Sequence, residues 1–254
     1  MALMNFSILT ASGVIIIGAV IAYGIYLYLP IRSALQIDET LLPATVAFQQ
    51  RLTHPSMHIL VMGDSTAVGV GAIPNTLSIA GRLGNQFPTA EVVNDSKSGI
   101  VIGELMPMIQ AHSKEHYDVV VLQIGANDVV HFTDLNAVRA DLRSVLAMAH
   151  QMSPHIIVLT AGNIGGCPVF RWPLNAIITA QTLRVRSIFI DESARVDGVT
   201  YVDLYKEGVD ASFNADPNTY YAADYFHPSG AGYGIWYGFI HALLQKQYPQ
   251  VQAH

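Results

Sequence analysis

A serine that could act as a nucleophile lies at the end of a short apolar run. The segment His58–Gly71 reads HILVMGDSTAVGVG, and its apolar residues stop at Gly63, two positions before Ser65. Such a run, bounded by turn residues, is typical of a buried strand that leads into a loop. Asp64, Ser65 and Thr66 are also residue types that cap helices, so the stretch alone fits an ordinary capping turn equally well.

A serine hydroxyl needs a base before it can attack a carbonyl carbon, and His227 is the best candidate for that base. Asp224 lies three residues before it and Pro228 directly after it, in the segment AADYFHPSGAGY. Within one turn, this spacing can place a carboxylate beside Nδ1 and leave Nε2 free. The DxxH spacing is weak evidence by itself, because a surface aspartate and a capping histidine would produce the same pattern.

Acyl transfer also requires donors for the oxyanion that forms on the carbonyl oxygen. Three candidates follow predicted strands: the backbone N–H of Ser65, the backbone N–H of Gly99 in NDSKSG, and the side-chain amide of Asn127 in GAND. Since the carboxyl ends of parallel strands meet at one edge of a sheet, we expect these groups to converge on Ser65.

The elements that must position these residues alternate between strand and helix. Apolar and β-branched runs predict strands at 59–62, 90–93, 118–124, 155–160 and 199–202. Helical patterns predict helices at 75–87, 101–116, 135–152, 174–195 and 229–247. The expected caps are Asn75 for the first, Thr133 or Asp134 for the third, and Ser229 for the last. Residues 211–227 are predicted to be irregular. This alternation indicates an α/β fold with a parallel sheet and helices on both faces.

The composition limits the classes of partner. The chain has 254 residues, a net charge of −6 and no basic patch, which argues against nucleic acid. Its one cysteine, Cys167, excludes an intrachain disulfide. We interpret Cys167 as a buried or loop thiol. Nothing in the sequence indicates the oligomeric state.

The N-terminal residues 1–31 carry no charged side chain, and Ile8–Leu29 is almost wholly apolar. That length spans a bilayer as a helix. A cleaved signal peptide is the rival interpretation, but no Lys or Arg precedes the run and the run exceeds a normal signal core. We therefore expect a single-pass anchor at 1–31, in a bacterial inner membrane, with the orientation open. Residues 32–56 are predicted to form a linker, in which LLPATVAFQQRL suggests a short amphipathic helix, and 57–254 form one domain.

Four short blocks, taken together, resemble the SGNH, or GDSL-type, hydrolase family. They are GDST at 63–66, NDSKSG at 94–99, GAND at 125–128 and DYFH at 224–227, in the family's order. The resemblance implies a three-layer α/β/α sandwich with strand order 2-1-3-4-5. It also implies Ser65 as nucleophile, His227 as base with Asp224 as its partner, and Ser65, Gly99 and Asn127 as oxyanion donors. Thr66 departs from the family's usual leucine and is expected to pack or cap.

The expected function is therefore that of a membrane-anchored serine esterase acting on a small-molecule or lipid ester through an acyl-enzyme, without a metal or an organic cofactor. Two alternatives stay open: acyl transfer to, or deacetylation of, envelope glycans, and a catalytically silent binding module. Asp64 and Asp128 are interpreted as acceptors that fix loops. Aromatic residues near the site could line an acyl pocket, although loop packing explains most of them equally well: Phe170, Trp172, Tyr220, Tyr221 and Phe226.

Overall fold

The computed structural model describes residues 2–205 and 209–247 of the chain, without the side chains of 2–13, 209, 210 and 247. Five strands form one parallel sheet: β1 Met57–Gly63, β2 Ala90–Asn94, β3 Val119–Gln123, β4 Ile156–Leu159 and β5 Val199–Val202. Their order is β2-β1-β3-β4-β5, which confirms the expected topology. In register, Gly63 at the end of β1 lies beside Gln123 at the end of β3.

The helices of the domain connect these strands or follow them. Their bounds are α2 Ser65–Val68, α3 Ile79–Gln86, α4 Ile102–Ala111, α5 Ala126–Val130, α6 Leu135–Met152, α7 Leu174–Ser193, α8 Val209–Ala215, α9 Pro217–Tyr220 and α10 Gly230–Gln247. Two short 3-10 turns lie at Asn75–Leu77 and Ile164–Gly166.

The sheet separates two apolar cores. In β1, Ile59 and Val61 belong to the core that contains buried residues of α3 and α10. Leu60 and Met62 belong to the opposite core, with α4, α6 and α7. Because successive side chains of a strand point to opposite faces, each central strand is apolar on both sides, and the three-layer sandwich follows.

Several predicted element ends differ from the structure. Asn75 is not the helix cap: it begins a 3-10 turn, and the helix starts at Ile79 behind Ser78, whose Oγ accepts a hydrogen bond from the Gly81 N–H at 3.1 Å. The helix predicted to reach residue 116 ends at Ala111. The region expected to be irregular contains α8 and α9. Asp134 and Ser229 do accept hydrogen bonds from the first turns of α6 and α10.

Helix α1, Ala2–Ala44, runs through Pro30 instead of ending near it. Proline has no N–H, so the carbonyl of the residue four positions earlier loses its helical partner. That carbonyl belongs to Tyr26, and Arg171 Nη1 donates a hydrogen bond to it at 3.0 Å. The arginine also lies over the Tyr26 ring, at 4.1 Å from the ring centroid. A side chain of the domain thus replaces the missing helical bond.

The continuation of α1 changes the expected linker. Residues 32–44 are helical, and the amphipathic helix suggested for LLPATVAFQQRL is absent from the structure: 45–49 have no regular structure, and Gln50 forms an antiparallel bridge with Val92. Within residues 14–44, an 18-residue window of mean hydropathy 2.2 is entirely unburied. Length and composition suit either a membrane-spanning helix or a signal sequence.

Candidate active site

The turn after β1 holds Ser65 in a tightly enclosed position. Gly63 has φ +151°, and a Cβ there would lie 1.8 Å from the Gln123 carbonyl oxygen, so only glycine fits. Asp64 caps α2, its Oδ1 accepting from the N–H of Thr66 at 2.9 Å and from its hydroxyl at 2.7 Å. The family-atypical Thr66 does not cap the helix but is buried, at 6% exposure, as expected for a packing residue, and Ser65 begins α2 with 7% of its surface exposed.

The structure brings Ser65, His227 and Asp224 into one hydrogen-bonded chain. His227 Nε2 lies 2.8 Å from Ser65 Oγ, and His227 Nδ1 lies 2.5 Å from Asp224 Oδ2. All three residues are buried, with His227 at 4% and Asp224 at 1% exposure. With the ring proton on Nδ1, Nε2 is an acceptor aimed at the serine hydroxyl, which is the arrangement needed to remove its proton.

Asp224 is fixed by its own loop as well as by the histidine. Its Oδ1 accepts hydrogen bonds from the N–H groups of Phe226 and His227 at 2.9 and 3.0 Å. Burial opposes its charge, but the hydrogen bond and the charge of His227 outweigh that effect and lower the pKa of the carboxyl. Asp224 therefore stays ionised and holds the imidazole in one orientation.

Helix α10 ties the histidine loop to the serine loop. Tyr233 is fully buried, and its hydroxyl donates a hydrogen bond to the Val70 carbonyl at 2.9 Å. Ser65 and His227 are 162 residues apart in sequence, and this contact helps to hold their loops together.

The two other oxyanion candidates lie in the same cavity as Ser65. Gly99 and Asn127 line this cavity together with Ser65 and His227. One hydrogen of the Asn127 amide goes to the Ile100 carbonyl at 2.9 Å, which orients the group and leaves its second hydrogen available. The N–H groups of Ser65 and Gly99 make no hydrogen bond with any residue that the structure describes. All three donors are thus available at one place.

Asp128 supports the loop that carries Asn127. Its Oδ2 accepts a hydrogen bond from the Ile102 N–H at 3.1 Å, joining the loops that follow β2 and β3. Burial raises its pKa to about 6. Burial likewise raises the pKa of Asp64, which is fully enclosed. Both carboxylates hold loops in place, as expected from the sequence.

The sequence did not predict a contribution from α1 to this site. Asp38 Oδ1 lies 3.6 Å from His227 Nδ1. Burial and the contact with Asp224 raise the pKa of Asp38 to about 6. One donor atom from each of Asp38, Asp224 and His227 lies within 4.8 Å of the other two, a spacing that a metal ion could also use. His227 and Asp224, however, already bond to each other.

Two cavities meet at Ser65, and they show which aromatic residues line the site. The larger, of about 360 Å³, is lined in part by Phe170 and Phe226, and the smaller, of about 40 Å³, by Tyr221 and Phe226. Tyr220 instead stacks on Phe213. Trp172 is 70% exposed, and its carbonyl accepts a hydrogen bond from the Tyr23 hydroxyl of α1.

Comparison with known proteins identifies the family of the chain. Residues 61–235 match the model of the GDSL-like lipase/acylhydrolase family. A GDSL-like esterase, Rv1075c of Mycobacterium tuberculosis, is 24% identical over 190 residues, covering 70% of this chain and 59% of the relative. The chain therefore matches less than two thirds of that relative's length.

Solved structures resemble the fold at low sequence identity. A lipolytic protein of the G-D-S-L family from Veillonella parvula superposes with a TM-score of 0.57 at 16% identity, covering 75% of this chain and all of that one. Axe2, an acetylxylan esterase from Geobacillus stearothermophilus, gives a TM-score of 0.50 at 24% identity, with coverages of 74% and 94%. The fold, together with the family model that spans most of the domain, establishes that the chain belongs to the GDSL-like lipase/acylhydrolase family.

Proposed function

We propose that this protein is a membrane-anchored serine esterase that cleaves carboxylic esters through an acyl-enzyme. The observation that carries the proposal is the buried chain of two hydrogen bonds from Asp224 through His227 to Ser65. A chain of this kind lets a serine lose its proton as it attacks, while the carboxylate stabilises the imidazolium that forms.

The steps follow from the positions of the groups. Ser65 Oγ attacks the ester carbonyl carbon as its proton passes to His227 Nε2. The resulting oxyanion accepts hydrogen bonds from the N–H groups of Ser65 and Gly99 and from the Asn127 amide. His227 then donates its proton to the leaving alcohol oxygen, and the acyl group remains on Ser65. Water, deprotonated by His227, hydrolyses that ester and restores the serine.

The anchor is the second part of the proposal. The uncharged run Ile8–Leu29 is long enough to cross a hydrocarbon core of about 30 Å. An apolar helix surface left unburied by the domain is costly in water but not in lipid. We assign this run to the membrane, with Tyr23 and Tyr26, which contact Trp172 and Arg171 of the domain, at the membrane surface, and we assign the rest of α1 to the domain.

Replacement of the serine tests the enzymatic part. Ser65→Ala should abolish turnover of p-nitrophenyl acetate and labelling by a fluorophosphonate probe, because the only atom able to form the acyl-enzyme is gone. The thermal unfolding temperature should stay within a few degrees of wild type, since the hydroxyl makes a single hydrogen bond, to His227 Nε2.

Ser187→Ala is the matched control, because Ser187 is exposed on α7, far along the chain from the site. This variant should keep both activities. Undiminished turnover or labelling in Ser65→Ala would refute the esterase mechanism. Wild-type protein that neither hydrolyses esters nor reacts with the probe would support the binding-module alternative instead.

A further inference from the structure

The larger of the two cavities at Ser65 has walls from both α1 and the domain. Helix α1 contributes Ile31, Ala34, Leu35, Asp38 and Leu42. Across the cavity lie side chains of the domain: Val130, His131, Val169, Phe170 and Phe226. Ser65, Gly99, Asn127 and His227 complete the lining, so the cavity begins where an ester carbonyl would react.

The walls of this cavity suit a hydrocarbon chain. Apart from the groups assigned to catalysis, its only titratable side chains are Asp38 and His131. Its volume of about 360 Å³ is within the range of about 300–1,000 Å³ found for ligand pockets. A dry cavity of about 150 Å³ already holds benzene, so this space admits a chain of several methylenes. The smaller cavity, of about 40 Å³, has no room for one.

The wall from α1 is fixed to the domain by contacts outside the cavity. The Tyr23 hydroxyl donates to the Trp172 carbonyl at 2.6 Å, and Arg171 binds the Tyr26 carbonyl and covers its ring. Ala34 is 8% exposed and belongs to the apolar core that includes α3 and α10. The space beside Ser65 is therefore bounded by a docked helix.

We propose that the cavity between α1 and the domain binds the hydrocarbon tail of an amphiphilic ester, with residues 31–42 of α1 as part of the substrate site. The inference rests on the proposed esterase function and names its substrate class. The tail belongs either to the acyl group or to the alcohol of the ester, since both begin at the reacting carbonyl. The helix that leads out of the bilayer thus also guides the tail of the substrate to Ser65.

The test compares long and short esters with the full-length protein in lipid nanodiscs. Leu35→Asp places a charge in the cavity, and Leu35 is 58% exposed, so the domain does not depend on it for folding. We expect the ratio of kcat/KM for p-nitrophenyl decanoate to that for p-nitrophenyl acetate to fall at least about tenfold, because the tail loses its apolar contacts. Val46→Asp, an equally apolar position at 70% exposure outside the cavity, should leave the ratio unchanged.

A second variant approaches from the opposite wall. Val130→Phe reduces the space on the domain side and should also lower the ratio, with the largest loss for the longest chain. Decyl acetate, assayed by acetate release, then separates the two sources of the tail. If the variants lower kcat/KM for p-nitrophenyl decanoate alone, the cavity binds the acyl chain. If they lower kcat/KM for decyl acetate alone, the cavity binds the alcohol.

The outcomes separate this inference from the proposed function. If wild type hydrolyses the acetate but neither Leu35→Asp nor Val130→Phe changes selectivity toward either long ester, the tail site is wrong and the esterase stands. If wild type hydrolyses no ester at all, the esterase proposal fails and the tail site fails with it.

Discussion

Asp38 places a third ionisable group beside the proposed base. Its carboxylate lies on the Nδ1 side of His227, next to Asp224, and its pKa is raised to about 6 by burial and by that neighbour. Below that pH Asp38 is neutral, and above it the histidine faces two negative charges. A second charge at 3.6 Å favours the imidazolium that forms when His227 takes the serine proton.

Asp38→Asn should therefore slow the enzyme at alkaline pH. We expect kcat/KM for p-nitrophenyl acetate to fall roughly three- to tenfold at pH 8, with little change at pH 5 where Asp38 is already neutral. The pH profile should lose a titration step near pH 6. Glu39→Gln, an exposed neighbour on α1, is the control. An Asp38→Asn profile that keeps the wild-type step would contradict this assignment.

At alkaline pH, where Asp38→Asn should lower the rate, the same substitution should raise the stability of the protein. The pKa of Asp38 is raised in the folded state above the ordinary 3.8, so the folded protein binds this proton more tightly than the unfolded chain does. Stability due to Asp38 is thus lost as pH rises from about 4 through 6. Asp38→Asn should gain on the order of 1 kcal/mol at pH 8 and almost nothing at pH 4, measured by chemical unfolding.

The sequence predicted five site residues and missed Asp38 for a physical reason. Ser65, Gly99, Asn127, Asp224 and His227 each lie in a short motif, because their chemistry fixes the residue type and the turn around it. Asp38 lies in no motif and precedes Ser65 by 27 positions. It reaches His227 only because α1 docks on the domain, and docking of a helix is not encoded in any local pattern.

At the scale of elements, Arg171 explains why α1 could not be delimited from sequence. Pro30 predicts a helix end, since it leaves the Tyr26 carbonyl unpaired. The compensating donor comes from a loop 145 residues later in the chain. The misassigned cap of α3 has a similar origin: Asn75 and Ser78 are both capping types, and burial of Ser78 against the core selects between them.

The turn after β1 gives a prediction at this scale. Gly63→Ala should destabilise the domain by about 3 kcal/mol or more, because the new Cβ would overlap the Gln123 carbonyl and the positive φ disfavours any side chain. Thermal unfolding followed by circular dichroism measures the loss. Gly238→Ala, on α10 with no atom within 4 Å of the added methyl, should instead be neutral or raise stability by about 1 kcal/mol. Equal effects of the two would refute the steric argument.

At the scale of the whole molecule, the sequence established the layers but not the arrangement of the strands. Continuous apolar runs such as DVVVLQI predict strands buried on both faces, and alternation with helices predicts a parallel sheet. Neither feature distinguishes one strand order from another. The order 2-1-3-4-5 came from the four blocks around the serine, which identify a family and with it a topology.

The anchor can be tested on the intact chain. Membranes washed with carbonate should retain the protein, and its mass should remain that of the full 27.6 kDa chain, whereas a cleaved signal would shorten it. Ile17→Asp combined with Val20→Asp should move the protein to the soluble fraction, because each buried charge costs about 2.5–3.5 kcal/mol at the centre of a bilayer.

The control is a pair of the same substitutions at apolar residues exposed elsewhere, Val46→Asp and Ile73→Asp, which are 70% and 78% exposed. This variant should stay with the membrane. Wild-type protein found in the wash, or membrane-bound protein lacking its N-terminus, would argue against an uncleaved anchor.

Because α1 continues without a break past Pro30, its length determines how far the active site lies above the membrane. Nine residues separate Leu29, where the apolar run ends, from Asp38 at the active site, and a helix rises about 1.5 Å per residue, or about 14 Å in all. The headgroup layer on each side of a bilayer is only about 5–8 Å thick. The anchored serine would then stand above the headgroups, so an ester resident in the bilayer must rise several ångströms out of it to react. The length of α1 would then favour substrates that can move part of the way out of the membrane to reach Ser65.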